Sequence, residues 1–225
     1  MTSRTSIAPE GRAVIGTAAA VFGVVALIGT AAGHPLSIVP LVLAVGFPVW
    51  FFRDPDRTVP TDPRAVVSPA DGRVVDVSPV HEDRFLHAAA TKISIFMSPL
   101  DVHVNRSPVA GRITRLQHTA GKFRAAWEDK ASLDNERNAM VLEQGSRRFL
   151  VVQIAGFLAR RIVCRQAVGD VLDRGQAYGV IMFGSRVDLY LPPDVAARVR
   201  KGERVVAGET VLGELPATAH QEVHA

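Results

Sequence analysis

The hydrophobic pattern divides the chain into two unequal parts. Between Arg12 and Arg53 there is no Asp, Glu, Lys or Arg, and the one ionisable side chain is His34, in the break Gly33-His34-Pro35. Residues 13–33 supply about the ~20 apolar positions that a membrane-crossing helix needs, and residues 36–52 sit at the lower limit of ~17. The pattern predicts a membrane-anchoring hydrophobic hairpin over residues 1–53. A cleaved secretory leader fits less well, because its apolar core is shorter and no second apolar block follows it.

Beyond Arg53 the period changes. The Pro- and Asp-rich stretch 53–63 reads as a linker leaving the apolar part. After it, short apolar runs bounded by Gly and Pro predict strands at 73–77, 92–96, 149–155, 180–183 and 187–191. Residues 123–133 lack Gly and Pro and carry Ala, Glu and Lys, which predicts one short helix. Residues 54–225 therefore read as a mainly β domain with few short helices. Two internal echoes sharpen this. Ser68-Pro-Ala-Asp-Gly-Arg-Val74 resembles Ser107-Pro-Val-Ala-Gly-Arg-Ile113, and Gly169-Asp-Val with Gly175 and Gly179 resembles Gly202-Glu-Arg-Val with Gly208 and Gly213. Such repeated hairpins resemble the barrel-sandwich hybrid fold of lipoyl and biotinyl carrier domains and of membrane-bound adaptors.

Composition adds limits. A chain of 225 residues that is 48% hydrophobic can bury a sizeable core, which excludes wholesale disorder. The net charge is +4, and only four of the 26 basic residues are lysines; guanidinium suits phosphates and anionic surfaces. Arg4 and Arg12 before the first apolar block, with Arg53 and Arg57 after the second, place both ends on the cytoplasmic side by the positive-inside rule. Trp50, Phe51 and Phe52 then lie at the interface. A single cysteine, Cys164, excludes an intramolecular disulfide framework and a cysteine-rich zinc site.

Familiar catalytic signatures are missing. The chain has no His-Glu-x-x-His, no paired Cys-x-x-Cys, no Walker A loop and no Gly-x-Ser-x-Gly elbow. His220 and His224 fall in a tail whose composition suits disorder better than metal binding. None of Lys92, Lys122, Lys130 and Lys201 has the context of a pyridoxal phosphate lysine or of a carrier-domain lysine. Three polar constellations remain among the β segments: 66–74 with Asp71 in a Pro/Gly turn, 96–108 with Asp101, His103 and Arg106, and 178–188 with Gly184-Ser185. Each taken alone also reads as a turn, a half-buried histidine or a hairpin.

Taken together they carry a resemblance. The order "SPADG", "MSPLDVHVNRSPVAG", "NERN" (135–138), "QIAGFLARRIV" (153–163) and "FGSRVDLYLP" (183–192) resembles the short form of phosphatidylserine decarboxylase over about residues 48–215. That resemblance implies a proenzyme that cuts itself between Gly184 and Ser185 into chains 1–184 and 185–225, which stay together as a heterodimer. It implies that Ser185 becomes a pyruvoyl group, with no metal and no pyridoxal phosphate. The group's ketone engages the amine of phosphatidylserine and accepts electrons as carbon dioxide leaves, giving phosphatidylethanolamine in phospholipid biosynthesis. By the same resemblance Asp71 supports a histidine and Ser185 in self-processing. The family pattern has two histidines three apart where this chain has His103 and then Arg106. His103 is therefore expected to act as processing base or relay and as proton donor in decarboxylation. Arg106, Arg160 and Arg161 are the expected contacts for phosphate or carboxylate. The expected location is the cytoplasmic face of the cell membrane. No nucleic acid partner is expected, and a homo-oligomer stays open. The alternative is a non-enzymatic, membrane-anchored barrel-sandwich-hybrid adaptor, whose chain would stay uncut.

Overall fold

A computed structural model describes residues 5–121, 135–156, 161–182 and 185–216. The chain separates into two compact units, Met1–Asp56 with Val102–Val104, and Arg57–Asp101 with Asn105–Ala225. The short helix expected at 123–133 lies outside the described residues.

In the first unit, strand β1 (Thr5–Ile7) pairs antiparallel with β2 (Arg53–Pro55), so the chain enters and leaves at one place. Between them run α1 (Pro9–Ala31), a 3-10 turn (Pro35–Ser37) and α2 (Ile38–Phe51). Pro9 opens α1 at a position whose N–H has no helical partner in any case. Gly33, at φ 82°, lets the chain reverse. The 23 residues of α1 reach about 35 Å, enough for a ~30 Å hydrocarbon core. Its most apolar window has a mean hydropathy of 2.2.

The second apolar block is less fully α-helical than its length suggests. Pro35 sets up the 3-10 turn, and α2 keeps only 14 residues, about 21 Å. Two glycines of α1 admit the residues that flank α2. A Cβ on Gly11 would fall 2.5 Å from the Phe52 ring, and one on Gly29 would fall on the Ser37 side chain. Elsewhere Val21, Leu27, Ile28, Leu36 and Leu43 are exposed, an apolar coat that water does not favour.

The second unit is mainly β, as its alternating runs predict. Its strands are β3 (Ala65–Val67), β4 (Gly72–Glu82), β5 (Ala88–Met97), β6 (Val104–Arg106, beginning in the first unit), β7 (Gly111–Thr119), β8 (Arg137–Gln144), β9 (Arg147–Ala155), β10 (Ile162–Cys164), β11 (Val171–Leu172), β12 (Ala177–Ile181), β13 (Ser185–Leu191), β14 (Ala196–Ala197), β15 (Arg204–Val205) and β16 (Val211–Glu214). Eight of them form one curled sheet in the order β11-β7-β8-β9-β13-β5-β4-β15. Two three-stranded sheets, β10-β12-β6 and β14-β16-β3, hold the other strands among the described residues.

The eight-stranded sheet is buried on both faces, which is why its central strands read as nearly continuous apolar runs. Ile93, Ile95, Met140, Leu142, Phe149, Val151, Val187 and Leu189 belong to the cluster on one face. Ala139, Val141, Leu150, Val152 and Ile154, one residue out of phase on β8 and β9, belong to the other.

The two sequence echoes are one structural duplication. In the first copy Ser68 Oγ donates to Ala70 O at 2.7 Å, and in the second Ser107 Oγ donates to Val109 O at 2.7 Å. Val74 N donates to Glu203 O at 2.9 Å, matched by Ile113 N to Asp170 O at 2.8 Å. Gly208 N donates to Ser68 O and Gly175 N to Ser107 O, both at 2.8 Å. Val205 pairs with Gly72, and Leu172 with Gly111. The recurrent glycines serve turns: Gly169, Gly175, Gly202 and Gly208 all have φ between 77° and 101°. The copies differ in charge at one turn, where Asp71 stands in place of the second copy's Ala110.

Gly72 marks the tightest approach in this frame, since an added Cβ would lie 2.1 Å from Phe96 O. Gly72→Ala must push β4 off β5 and is expected to cost about 2–4 kcal/mol. Gly145→Ala, in a hairpin with open space around it, is expected to cost about 1 kcal/mol from its positive φ alone. Thermal unfolding of the two variants in detergent checks the ranking.

Candidate active site

Ser185 is the first residue of β13, the strand most completely held in the sheet. Its register places Ser185 opposite Met97 on β5 and opposite Ala155 on β9. The residue has no exposed surface. Its hydroxyl donates to Met97 Sδ at 3.4 Å. A thioether is a weak acceptor and cannot take up a proton at ordinary pH, so the hydroxyl is oriented but stays neutral. Gly184 and Arg160 lie outside the described residues.

The next side chain on the opposite face of β13 is charged. Arg186 and Asp188 form an ion pair at 2.9 Å, 5% and 2% exposed in their side chains. Burial pushes the Asp188 carboxyl above its ordinary range, opposed by the Arg186 charge and by a hydrogen bond from Ser94. Two charges that flank Val187 on one face fix the rotation of β13 about its axis, because a slip of one residue would drive both into the apolar cluster behind Val187.

Asp71 sits in the turn that opens β4. Its Oδ2 accepts from Arg57 Nη2 at 3.0 Å and its Oδ1 from the Ala207 amide at 2.7 Å. The pair is mostly buried, with side chains 8% and 15% exposed. Gly72 and Ser185 flank the Met97 end of β5 from opposite sides, through β4 and β13, so the Asp71 turn and Ser185 share one end of the sheet at a separation of about 10 Å. The Asp71 carboxylate thus addresses Arg57 and the Ala207 loop directly, and Ser185 only across β5.

His103 belongs to the first compact unit. It is buried, and its ring lies against Phe51 with centroids 4.3 Å apart and planes tilted by 31°. Arg106, half-buried on β6, donates to Gly175 O at 3.0 Å. It passes over Gly208, whose Cβ position would be 3.1 Å from Arg106 Cδ and 3.7 Å from Arg57 Cβ. Arg106 and the Arg57–Asp71 pair therefore crowd one loop. Arg161 is exposed, and its carbonyl accepts from Met182 N at 3.2 Å.

Several residues at this end of the sheet escaped the sequence reading. Arg57 looked like a charge flanking the membrane segment, yet it holds Asp71. The run Asn135-Glu136-Arg137-Asn138 had no role, and here it clasps the strand beside Ser185. Asn135 Nδ2 donates to Ala155 O at 2.7 Å, and Ala155 N donates to Glu136 O at 2.9 Å. Glu136 Oε1 accepts from Ile162 N at 3.3 Å and lies 3.6 Å from His118 Nε2. Neither Arg57 nor the run 135–138 carries a local signal of these contacts, which the fold alone brings about. Among the described residues no group of three or more His, Cys, Asp or Glu side chains is placed to hold a metal ion. Cys164 is half-buried, and burial pushes its thiol above the ordinary value.

A family model described as phosphatidylserine decarboxylase matches residues 45–213. The chain is 48% identical over 214 residues to the phosphatidylserine decarboxylase proenzyme of Symbiobacterium thermophilum, covering 95% of this chain and 97% of that one. It is 50% identical over 210 residues to the proenzyme of the same name from Syntrophotalea carbinolica, with 93% and 96% covered. Identity to the Pelobacter propionicus protein of that name is 53% over 170 residues, with 75% and 77% covered.

The mostly buried Arg57–Asp71 pair makes a thermodynamic statement that unfolding can check. Arg57→Gln and Asp71→Asn are each expected to lower stability by about 1–3 kcal/mol, and the double variant by less than their sum. Additive losses in the three melts would mean that the pair contributes nothing as a pair.

Proposed function

The chain belongs to the phosphatidylserine decarboxylase family, and on that premise we propose that it converts phosphatidylserine to phosphatidylethanolamine and carbon dioxide after cutting itself between Gly184 and Ser185. The observation that carries the reading is the position of Ser185. The residue matched to the cut is buried and begins a strand hydrogen-bonded on both sides. A cut before Ser185 leaves that strand held by β5 and β9, so the small chain 185–225 stays in place as partner of the large chain 1–184.

The cut itself is an exchange of acyl partners. The Ser185 hydroxyl oxygen attacks the carbonyl carbon of Gly184, its proton passes to a base, and the Gly184–Ser185 C–N bond breaks as the amine is protonated. An ester then joins the two residues. Removal of the Ser185 α-proton expels the Gly184 carboxylate, and water replaces the nitrogen of the resulting enamine, releasing ammonia. In this reading His103 is the base or its relay, and Asp71 with Arg57 fixes the turn at the same end of the sheet.

Position 185 suits the group so formed. Its side chain faces Met97, and the flanking residue on β9 is Ala155; a methyl ketone fits such surroundings better than an ion does. A pyruvoyl group there supplies a carbonyl that engages an amine covalently and accepts electron density as a carboxylate leaves. The chain's own residues do the rest. Arg106, Arg160 and Arg161 bind the phosphate or carboxylate of the headgroup, and His103 returns a proton to the carbon that lost carbon dioxide.

The apolar segment fits a substrate that stays in a bilayer. In this reading residues 1–53 are the anchor and residues 54–225 the decarboxylase domain, held at the cytoplasmic face. Arg12 precedes the apolar run, and Arg53 follows it with its guanidinium 4.4 Å from the Trp50 ring centroid, the pairing expected of an interfacial anchor. The decarboxylation serves phospholipid biosynthesis.

Intact mass of the purified protein under denaturing conditions tests the proposal. Two chains of about 20 and about 4.5 kDa are expected from ~110 Da per residue, with the small one lacking a free amino terminus and gaining the mass of a carbonyl-reactive hydrazide. Ser185→Ala and His103→Ala are expected to leave a single uncut chain. An uncut wild-type chain that takes no hydrazide would overturn the proposal and favour a membrane-anchored adaptor.

A further inference from the structure

Near Ser185 the core face of the large sheet carries buried polar side chains. Across β13, β9, β8 and β7 the register sets Val187, Gln153, Asn138 and His118 in one lateral row. The row beside it holds Met97, Ser185 and Ala155. The small sheet β10-β12-β6 packs over these positions. On β12, Gly179 has no side chain where a Cβ would meet Val163 O at 2.3 Å and Gln153 Nε2 at 3.3 Å. Asn105, on β6, reaches the same amide.

The polar side chains at this seam form a chain with one direction. Asn138 Nδ2 donates to Gln153 Oε1 at 3.0 Å, and Gln153 Nε2 donates to Asn105 Oδ1 at 2.8 Å. Asn105 Nδ2 then reaches Met97 Sδ at 3.6 Å and Pro69 O at 3.4 Å. That sulfur is the acceptor of the Ser185 hydroxyl at 3.4 Å. None of the five side chains is more than 3% exposed. Turning any one amide would set nitrogen against nitrogen or oxygen against oxygen at its neighbour, so each orientation fixes the next. The contact to Pro69 O also ties the chain to the turn that carries Asp71.

We propose that Asn138, Gln153 and Asn105 are positioning residues that act through Met97 to orient the Ser185 hydroxyl for self-cleavage. This rests on the reading of Gly184-Ser185 as the cleaved bond. The choice of acceptor suits the step. A carboxylate or carbonyl would hold the hydroxyl strongly and charge the transition state with breaking that bond. A thioether sets the direction of the O–H and gives it up cheaply to a base. The amide chain holds the sulfur in place, and its role ends with the cut, since Ser185 then has no hydroxyl.

The rate at which full-length chain turns into the two fragments, followed by pulse-chase and intact mass in membranes, tests the proposal. Met97→Leu conserves volume and removes the acceptor; it is expected to slow cutting about tenfold, with a thermal midpoint close to that of uncut Ser185→Ala. Asn105→Leu is expected to slow cutting as well. In the Met97→Leu background the same change is expected to add nothing, because the link to Ser185 is already gone. A purely structural role would make the two effects multiply. Met97→Leu cutting at the wild-type rate, or multiplying effects in the double variant, overturns the proposal. If Asn105→Leu fails to fold, Met97→Leu alone decides the matter. Failure of the underlying reading is separate and visible at once, as wild-type protein that never cuts.

Discussion

Backbone pairing on both sides of β13 is the constraint on which the rest of the structure depends. The strand lies fourth from one edge of an eight-stranded sheet and is buried on both faces. Val187, Leu189 and Leu191 join the main apolar cluster, while Arg186 and Asp188 neutralise each other on the opposite face. A strand held in this way has no freedom to slip, so the residue at its start is placed as accurately as the core. The pairing of the strand to β5 and β9 does not depend on the peptide bond that precedes it.

Around that strand the domain is built from a duplicated motif whose copies match bond for bond. Duplication supplies a frame of short strands and tight glycine turns, and the copies differ at one of those turns. Asp71 in place of Ala110 brings a carboxylate to one of two equivalent turns, and Arg57 with the Ala207 amide holds it there. The seam between the large sheet and β10-β12-β6 departs from apolar packing in a similar way. Its buried amides are satisfied in series and lead to the acceptor of the Ser185 hydroxyl. Buried polar groups of this kind are tolerable only when each partner is present, which makes them a more specific device than an equal volume of leucine.

The N-terminal unit is packed on a different pattern. Gly11 and Gly29 of α1 admit Phe52 and Ser37, and the helices turn valine, leucine and isoleucine outward, the arrangement that hydrocarbon rather than water selects. The β-rich unit puts the same residue types inside. The two units of the chain thus distribute the same apolar residue types in opposite ways.

Local sequence determined a large share of this protein. The run free of charge between Arg12 and Arg53 specifies the apolar helices, since such a segment has no polar face to offer water. Alternating and continuous apolar runs specify β4, β5, β9, β12 and β13, because side chains on a strand repeat every two residues. Five motifs in order point to the family and to Ser185. Tertiary structure alone decided what those residues touch. The ion pair of Arg57 with Asp71 spans 14 positions, the bond of Asp71 to Ala207 spans 136, and the contact of Ser185 with Met97 spans 88. The length of α2 shows the same limit, because hydropathy measures an apolar block but does not say where a 3-10 turn interrupts it. Periodicity reports the face on which a residue lies, whereas strand order and register determine its neighbour, and neither is a local property of the chain.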